Sequence, residues 1–292
     1  MAVRMTVVAG QFYESSEQTC RRQIEQMMPS GPIDCELPKK IIAGIVPHAG
    51  WMFSGDLALR VLAAIRQQQV VDTFVIFGAV HAVRTHKGLL YDQGQWGTPL
   101  GTVDVDEEIA GTIREQKSDL IQPDCRGHNR EHSIEVQVPL IRFLFPQAAI
   151  VPIMVPPVST ADEIGRIVAR AVADRNRKIV FLASTDLTHY GDSYGFTPLG
   201  TGTEALRWAK EENDKLFIDL SLSMQAEQIV ESAQLYGSAC GAGAVAAALA
   251  GAKEWGAQKG YLLGHTTSAE VIMEKFHQTS DSSVGYVGAV FG

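Results

Sequence analysis

The chain has 292 residues, of which 46% are hydrophobic and 20% charged, and its formal net charge is −8. This profile is typical of a globular protein with a sizeable core. The sequence has no Lys/Arg-rich block and no apolar run of about 18 residues, which argues against a nucleic-acid partner and a membrane span. The N-terminal segment lacks an apolar stretch of signal-peptide length, so we expect a cytoplasmic protein.

The four cysteines are Cys20, Cys35, Cys125 and Cys240. None of them forms a C-x-x-C pair, which argues against a zinc knuckle or a thioredoxin motif. Two disulfides are formally compatible with this count. A chain that can build a full core does not need them, so we expect reduced thiols.

Apolar runs alternate with segments of helical periodicity along the chain. The predicted strands are Ile41–Val46, Thr73–Phe77, Ala149–Val155, Lys178–Ala183, Tyr261–Gly264 and Val284–Val290. The predicted helices are Gly55–Gln67 (capped by Ser54), Asp106–Glu115, His132–Phe145 (kinked or delayed by Pro139), Thr160–Asn176, Thr203–Leu220, Ser223–Ala233 and Gly241–Trp255. A hairpin-rich excursion is predicted over Leu89–Asp104. This order predicts a single α/β domain over residues 1–292, with three layers: a central mixed sheet and helices on both faces.

Histidines follow three of the predicted strands at the point where each strand ends. His48 follows Ile41–Val46, His81 follows Thr73–Phe77, and His189 follows Lys178–Ala183 with Asp186 beside it. Each histidine by itself is also compatible with a hydrogen-bonded surface residue. Because ligands bind outside the carboxyl ends of strands in such sheets, the three together favour a functional site.

Cys240 lies just before the alanine-rich predicted helix. A thiol at a helix N-terminus has its thiolate form favoured by the helix dipole. The alternative is a small buried side chain packed among glycine and alanine. Imidazoles together with one thiolate suit Fe, Cu or Zn better than Mg or Ca.

The segment His128–His132 contains the pattern H-x-x-E-H, which is typical of the inverzincin metalloproteases. That interpretation requires His128 and His132 on one helical face with Glu131 as base. A second interpretation is a polar helix start in which Glu131 faces the N-terminal dipole. We favour a third, in which His132 points into the strand-end cleft as an acid/base or substrate contact and Glu135 orients it.

Six segments together resemble the Memo family, called AmmeMemoRadiSam system protein B in prokaryotes. They are VPHAGW (46–51), FGAVH (77–81), WGTPLG (96–101), EHSIEVQVP (131–139), STDLTHYG (184–191) and SSVGYVG (282–288). The resemblance runs in order from Val8 to the C-terminus. It implies a fold similar to the class III extradiol dioxygenases, which bind non-haem iron, and a prokaryotic context with a radical SAM enzyme and an AMMECR-like protein.

The resemblance also implies roles for individual residues. His48, His81 and Cys240 match the family's metal-binding positions, with Fe(II) or Cu as the metal. Asp186 and His189 match additional pocket residues of the D-L-x-H motif, and His132 matches the histidine of the E-H-S motif. A thiolate here stands where extradiol dioxygenases use a carboxylate, so ring cleavage is not assumed.

Three functions follow as hypotheses. The first is a metal-dependent redox or oxygenase-like protein with His48, His81 and Cys240 as ligands. His132, His189 and Asp186 are its catalytic residues: the two histidines exchange protons, and Asp186 sets the tautomer of His189. The second is a hydrolase, either a zinc peptidase using the H-x-x-E-H motif or an amidase with Cys240 as nucleophile. The third is a non-catalytic module that docks a phosphopeptide or a partner enzyme in the same cleft.

Overall fold

The computed structural model describes residues 2–173 and 176–292. The strands are β1 Val3–Arg4, β2 Ala43–Val46, β3 Thr73–Gly78, β4 Gly88–Leu90, β5 Gln95–Thr98, β6 Gly101–Asp104, β7 Ile121–Pro123, β8 Ala149–Met154, β9 Ile179–Ser184, β10 His189–Tyr190, β11 Gly260–Thr267 and β12 Ser283–Phe291. The α-helices are α1 Glu17–Met27, α2 Trp51–Gln68, α3 Glu107–Glu115, α4 Val138–Leu144, α5 Ala161–Val172, α6 Thr203–Trp208, α7 Lys215–Leu222, α8 Ala226–Tyr236, α9 Ala242–Glu254 and α10 Ser268–Phe276.

A nine-stranded mixed sheet forms the centre of the fold, in the order β10-β12-β2-β9-β3-β8-β4-β7, with β11 paired to β12. The strands β2, β9, β3 and β8 are parallel to one another, whereas β12 and β4 run antiparallel to their neighbours in this group. All residues of β2, β3 and β9 are buried, as expected for strands covered on both faces. A smaller sheet has the order β1-β5-β6.

Helices cover the central sheet. Helix α2 packs on β12 and β2, and α9 packs on β9, β2 and β3 and contacts α5 and α8. The close approach of α5 to α9 depends on Gly165, since a Cβ there would lie 1.9 Å from the Ala247 carbonyl oxygen. The predicted α/β class, mixed sheet and flanking helices are therefore confirmed.

Several predicted boundaries shift in the structure. Helix α2 begins at Trp51 after the N-cap Gly50, so the predicted cap at Ser54 is wrong, and its hydroxyl donates to the Ala49 carbonyl instead. Helix α4 begins late, with Pro139 in its first turn, because proline there loses no intrahelical hydrogen bond.

Two further differences concern the predicted helices. The predicted helix Thr160–Asn176 is observed as α5, and residues 174 and 175 lie outside the described residues. The predicted helix Thr203–Leu220 is interrupted by the π-helical turn Ala209–Asp214 between α6 and α7.

None of the helices in the described ranges combines the length and apolar character that crossing a bilayer requires. The four cysteines are all unpaired. Neither fact identifies the protein's location, so the cytoplasmic assignment stays a prediction.

Candidate metal centre

The carboxyl ends of three neighbouring parallel strands carry the candidate residues. His48 lies two residues beyond β2, His81 three beyond β3, and Asp186 two beyond β9. Because β9 pairs with both β2 and β3, these three loops leave the sheet side by side. Cys240 reaches the same edge from the loop that precedes α9.

The structure brings together one donor atom each from His48, His81 and Cys240, all within 4.8 Å of one another. The His48 Nε2 atom lies 3.1 Å from the Cys240 Sγ atom, and the two imidazole rings have centroids 5.3 Å apart. Two imidazole nitrogens and one sulfur form a donor set that suits Fe, Cu or Zn. The residues present therefore fit a bound transition metal.

The tautomer of His48 is set by the hydroxyl of Ser184. This hydroxyl donates its single proton to the Ser133 carbonyl at 2.6 Å and accepts from the Gln137 amide at 3.3 Å. Since its proton is already committed, the Ser184 oxygen accepts from the Nδ1–H of His48 at 3.2 Å. The Nε2 lone pair of His48 is consequently left to face Cys240.

The tautomer of His81 is set by Glu131, whose side chain is completely buried. The carboxylate accepts from the His81 backbone N–H at 2.8 Å and its ring Nδ1 at 3.0 Å, and also from the backbone N–H groups of His132 and Ser133. Although burial alone raises the pKa of a carboxyl, these donors hold the pKa of Glu131 far below its ordinary value. The ionised Glu131 thus orients His81 so that Nε2 faces the cluster.

Cys240 is held by backbone contacts with Asp186. The Asp186 N–H donates to the Cys240 sulfur at 3.3 Å, and the Cys240 N–H donates to the Asp186 carbonyl at 3.3 Å. Burial raises the pKa of the Cys240 thiol, and it lowers the pKa of His48. Helix α9 starts at Ala242 with Gly241 as its N-cap, so Cys240 lies one position before the cap, and burial favours the protonated thiol in the metal-free protein.

Asp186 and His189 both line the cleft, but their predicted relationship is wrong. The Asp186 carboxylate accepts the His48 backbone N–H at 2.7 Å and lies 4.0 Å from His48 Nε2. The Nδ1 of His189 donates to the Leu187 carbonyl at 2.9 Å, so a backbone group within the same loop, not Asp186, sets its tautomer. Burial raises the pKa of Asp186.

His132 lies against both histidines of the donor cluster. Its ring is stacked on His81 with centroids 4.9 Å apart and meets the His48 ring edge-on at 5.4 Å. The expectation that Glu135 orients it is wrong, because the Glu135 carboxylate binds Arg4 and Tyr13. The nearer carboxylate is Glu131, 3.6 Å from His132 Nδ1. Burial lowers the pKa of His132, which favours the neutral ring.

The inverzincin interpretation of H-x-x-E-H is wrong. The segment Gly127–Arg130 is a single 3-10 turn and Glu131 is extended, so the helical face that this motif requires does not form. His128 is fully buried, with Nε2 2.9 Å from the Leu89 carbonyl oxygen, and burial lowers its pKa to about 4. The donor atoms of Glu131 and His132 form a second close group with His81 rather than with His128.

A cleft of about 620 Å³ opens onto this cluster. Aromatic and apolar side chains form much of its wall: Phe12, Phe53, Tyr194, Ile272, Val284 and Tyr286. Its polar groups include Gln11 and the hydroxyls of Ser268, Ser280 and Ser282. Among the described residues, no lysine or arginine lines it, so an anionic ligand would find no cationic side chain there apart from the histidines.

The sequence does not indicate three features that support the cluster. These are the hydrogen bonds of Ser184, those of Gln137, and the orientation of His81 by Glu131. Ser184 lies in the segment STDLTHYG with Asp186, and Glu131 lies in EHSIEVQVP with His132. The histidines that they orient lie 50 or more positions away in the chain, as with His81 and Glu131, so no local pattern indicates these hydrogen bonds.

The fold and the candidate site together define an α/β protein with a His/Cys group suited to a metal ion at the strand ends. Residues 4–290 match the family model described as Memo-like protein. MEMO1 family proteins from Thermococcus onnurineus and Pyrococcus abyssi are each 35% identical to this chain, over 99% of both chains in each comparison. One from Pyrobaculum aerophilum is 33% identical over 100% of this chain and 99% of its own. The chain belongs to the Memo-like family, as the resemblance predicted.

A structural comparison supports the fold alone. The crystal structure of an uncharacterized protein from Escherichia coli K12 superimposes with a TM-score of 0.51, covering 87% of this chain and 100% of the other. The two sequences are 12% identical, so the likeness concerns the architecture and not the activity.

Proposed function

We propose that this protein is a metal-dependent redox or oxygenase-like protein that holds one Fe(II) or Cu ion through His48, His81 and Cys240. The observation that carries the proposal is the convergence of these three donors within 4.8 Å at the open edge of the sheet. Two hydrogen-bond networks support it. Ser184 and Glu131 bind the Nδ1 atoms of His48 and His81, and the Nε2 lone pair of each ring is then available to a metal ion.

The ion would supply redox chemistry and Lewis acidity at the base of the cleft. The protein's own contribution is ligand geometry and proton handling. As a metal ligand, Cys240 would release to solvent the proton by which its thiol contacts His48, and the N–H of Asp186 would remain as a donor to the thiolate.

Two histidines beside the donor cluster are placed to exchange protons with a substrate. The ring of His189 has its Nδ1–H committed to Leu187, so its Nε2 accepts a proton. His132 is kept neutral by burial and stacks on His81, which places a second base next to the metal ligands.

X-ray absorption spectroscopy on protein loaded anaerobically with Fe(II) or Cu(I) tests the assignment. The proposal predicts one sulfur scatterer together with nitrogen scatterers, and loss of the sulfur in Cys240→Ser. The matched control is Cys35→Ser, since Cys35 is exposed and remote in sequence from the site. A spectrum without sulfur in the parent protein would refute the proposed ligand set.

The 3.1 Å contact between Cys240 and His48 also supports a second candidate, an amidase with a Cys–His pair. The raised pKa of the thiol and the lowered pKa of the imidazole disfavour the ion pair that activates such a nucleophile. Iodoacetamide labelling of metal-free protein at pH 7 separates the two: the metal proposal predicts slow alkylation of Cys240, and the amidase predicts rapid alkylation there.

A third candidate, docking of a phosphorylated peptide in the cleft, finds little support. Phosphate recognition depends on arginine or lysine, and the described part of the chain places neither in the lining of the cleft.

A further inference from the structure

A second recess of about 400 Å³ lies at the opposite end of the central sheet. Lys39 and Lys40 precede β2, and Lys178 precedes β9, whereas the metal-centre residues follow these strands. The indole of Trp255, at the end of α9, lines the same recess. Four cationic residues therefore surround one opening, counting Arg177.

Three of these four cations have no counterion among the described residues. Lys39, Lys40 and Lys178 are exposed and form no ion pair with any residue that the structure describes. Within the described ranges Arg177 pairs with Glu108 at 3.4 Å, and the Asp72 carboxylate accepts the backbone N–H of Lys178. The chain as a whole has a net charge of −8, whereas this recess has a local excess of positive charge. The sequence does not reveal this excess, because the four residues come from two distant segments.

An apolar recess of about 350 Å³ adjoins the cationic one and shares Gln69 and Val70 with it. Leu144, Phe145 and Pro146 line this second part. Val70 stands at the junction of the two recesses with 64% of its surface exposed, so its side chain is accessible to a ligand in either one. We call the two recesses together the end groove.

We propose that the end groove docks an acidic segment of a partner protein that also carries apolar side chains. The charge complementarity selects a carboxylate-rich segment for the cationic half, and the apolar half accommodates its aliphatic side chains. A small inorganic anion would leave the apolar half unused. The proposal is independent of the metal centre, because the groove and the cleft share no lining residue.

Fluorescence anisotropy with a short fluorescein-labelled peptide of alternating Glu-Leu pairs tests this proposal on the full-length protein. The variants are Lys39→Glu/Lys40→Glu and, for the apolar half, Val70→Asp. The charge-matched control is Lys87→Glu/Lys117→Glu, which reverses two other exposed lysines that form no ion pair with a described residue. Metal content is measured on each variant and is expected to be unchanged.

We expect the Glu-Leu peptide to bind the parent, and the Lys39/Lys40 variant to lose roughly tenfold or more in affinity. Val70→Asp should weaken binding, the control pair should not, and added salt should weaken binding to the parent. The proposal is overturned if the peptide does not bind. It is also overturned if both double variants weaken binding equally, or if inorganic phosphate competes as well as a Glu-Leu peptide, which would indicate a site for small anions.

Discussion

At the scale of single residues, the candidate site depends on which imidazole nitrogen carries a proton. In His48 and in His81 the Nδ1–H is engaged by an acceptor, Ser184 and Glu131 respectively. The Ser184 hydroxyl acts as acceptor only because its own proton goes to the Ser133 carbonyl. The Nε2 lone pairs of His48 and His81 are thus oriented by residues that would not themselves contact a bound ion.

Replacement of Glu131 by glutamine tests this orientation. One Glu131 oxygen accepts from the His81 ring and from the backbone N–H groups of His132 and Ser133, and the other accepts from the His81 backbone N–H. An amide has only one acceptor oxygen, so its NH2 group must face N–H donors on one side and His81 loses its fixed position. We expect affinity for Fe(II) or Cu(I) to fall about 10- to 100-fold in competition with a chelator. Glu115→Gln, at an exposed position, is the control, and equal affinity in Glu131→Gln and the parent would show that Glu131 does not orient the ligand.

Proton release on metal binding is a second expectation at this scale. The pKa of the Cys240 thiol is raised by burial, so the metal-free protein carries this proton at pH 7. The pKa of His81 is also raised, since the hydrogen bond and charge of Glu131 outweigh the effect of burial. Metal affinity should therefore fall as the pH is lowered, because both groups must deprotonate before they bind the ion.

Calorimetry in two buffers of different ionisation enthalpy measures this release. We expect roughly one proton or more per ion in the parent at pH 7 and less in Cys240→Ser. Identical proton release in the parent and the serine variant would mean that the sulfur is not a ligand.

At the scale of elements, the loop before α9 must approach β9 closely to deliver Cys240. Gly241 permits this approach because it has no Cβ. A Cβ there would lie 2.4 Å from the Ser184 carbonyl oxygen and 2.8 Å from Thr185 Cβ. Neither neighbour is the end of a flexible side chain, so the loop would have to move. Cys240 precedes this glycine directly and would move with it.

We expect Gly241→Ala to lower metal affinity at least tenfold while leaving the helix content intact, because the displaced loop separates the sulfur from the imidazoles. Circular dichroism checks the helices and chelator competition checks the affinity. The control is Gly111→Ala in α3, where a Cβ meets no atom within 4 Å. Unchanged affinity in the Gly241 variant would contradict the requirement for close approach.

The elements themselves are largely predictable from the sequence. Buried strands such as Thr73–Gly78 read as short apolar runs, and the Pro139 signal identified the late start of α4. The histidines come directly after predicted parallel strands, and this placement also indicated where the cleft lies. The local pattern could not indicate the start of α2 at Trp51, since its N-cap is a glycine with no side-chain hydrogen bond.

The supporting contacts of the site were not predictable in the same way. The expected pairs His132–Glu135 and Asp186–His189 were chosen for their closeness along the chain. In the fold, the Glu135 carboxylate binds Arg4, 131 positions away, because the charged and buried guanidinium is a stronger hydrogen-bond donor than the neutral ring of His132. Hydrogen bonds between remote loops depend on the packing of the whole sheet, which one sequence does not reveal.

At the scale of the whole molecule, a buried ion pair connects the N-terminus to the segment that carries His132. The side chains of Arg4 and Glu135 are each 1% exposed and lie 2.8 Å apart. Arg4 also donates to the carbonyls of His128 and Glu131, while Glu135 accepts from Tyr13. The small sheet formed by β1, β5 and β6 is thereby fixed to the candidate site.

Replacing Arg4 by methionine should lower the free energy of unfolding by about 3–5 kcal/mol, because the Glu135 carboxylate and two carbonyls lose their buried donor. Denaturant unfolding of metal-free protein measures this change. Arg21→Met, which removes an exposed pair with Glu17, should cost at most about 1 kcal/mol. Similar losses in the two variants would contradict the structural role of the buried pair.

The partners implied by the family resemblance, a radical SAM enzyme and an AMMECR-like protein, stay predictions. The acidic segment proposed for the end groove is defined by the charge and shape of that groove and not by either of these partners. Copurification from the native host tests the two partners separately from the peptide experiment.

The central claim is that His48, His81 and Cys240 together hold one redox-active metal ion. Elemental analysis of protein purified without oxygen tests it most directly, on the parent, His48→Ala, Cys240→Ser and the control Cys35→Ser. The account predicts close to one equivalent of iron or copper in the parent and the control, and little in the other two. Equal metal content in all four proteins, or stoichiometric zinc in place of iron and copper, would contradict it.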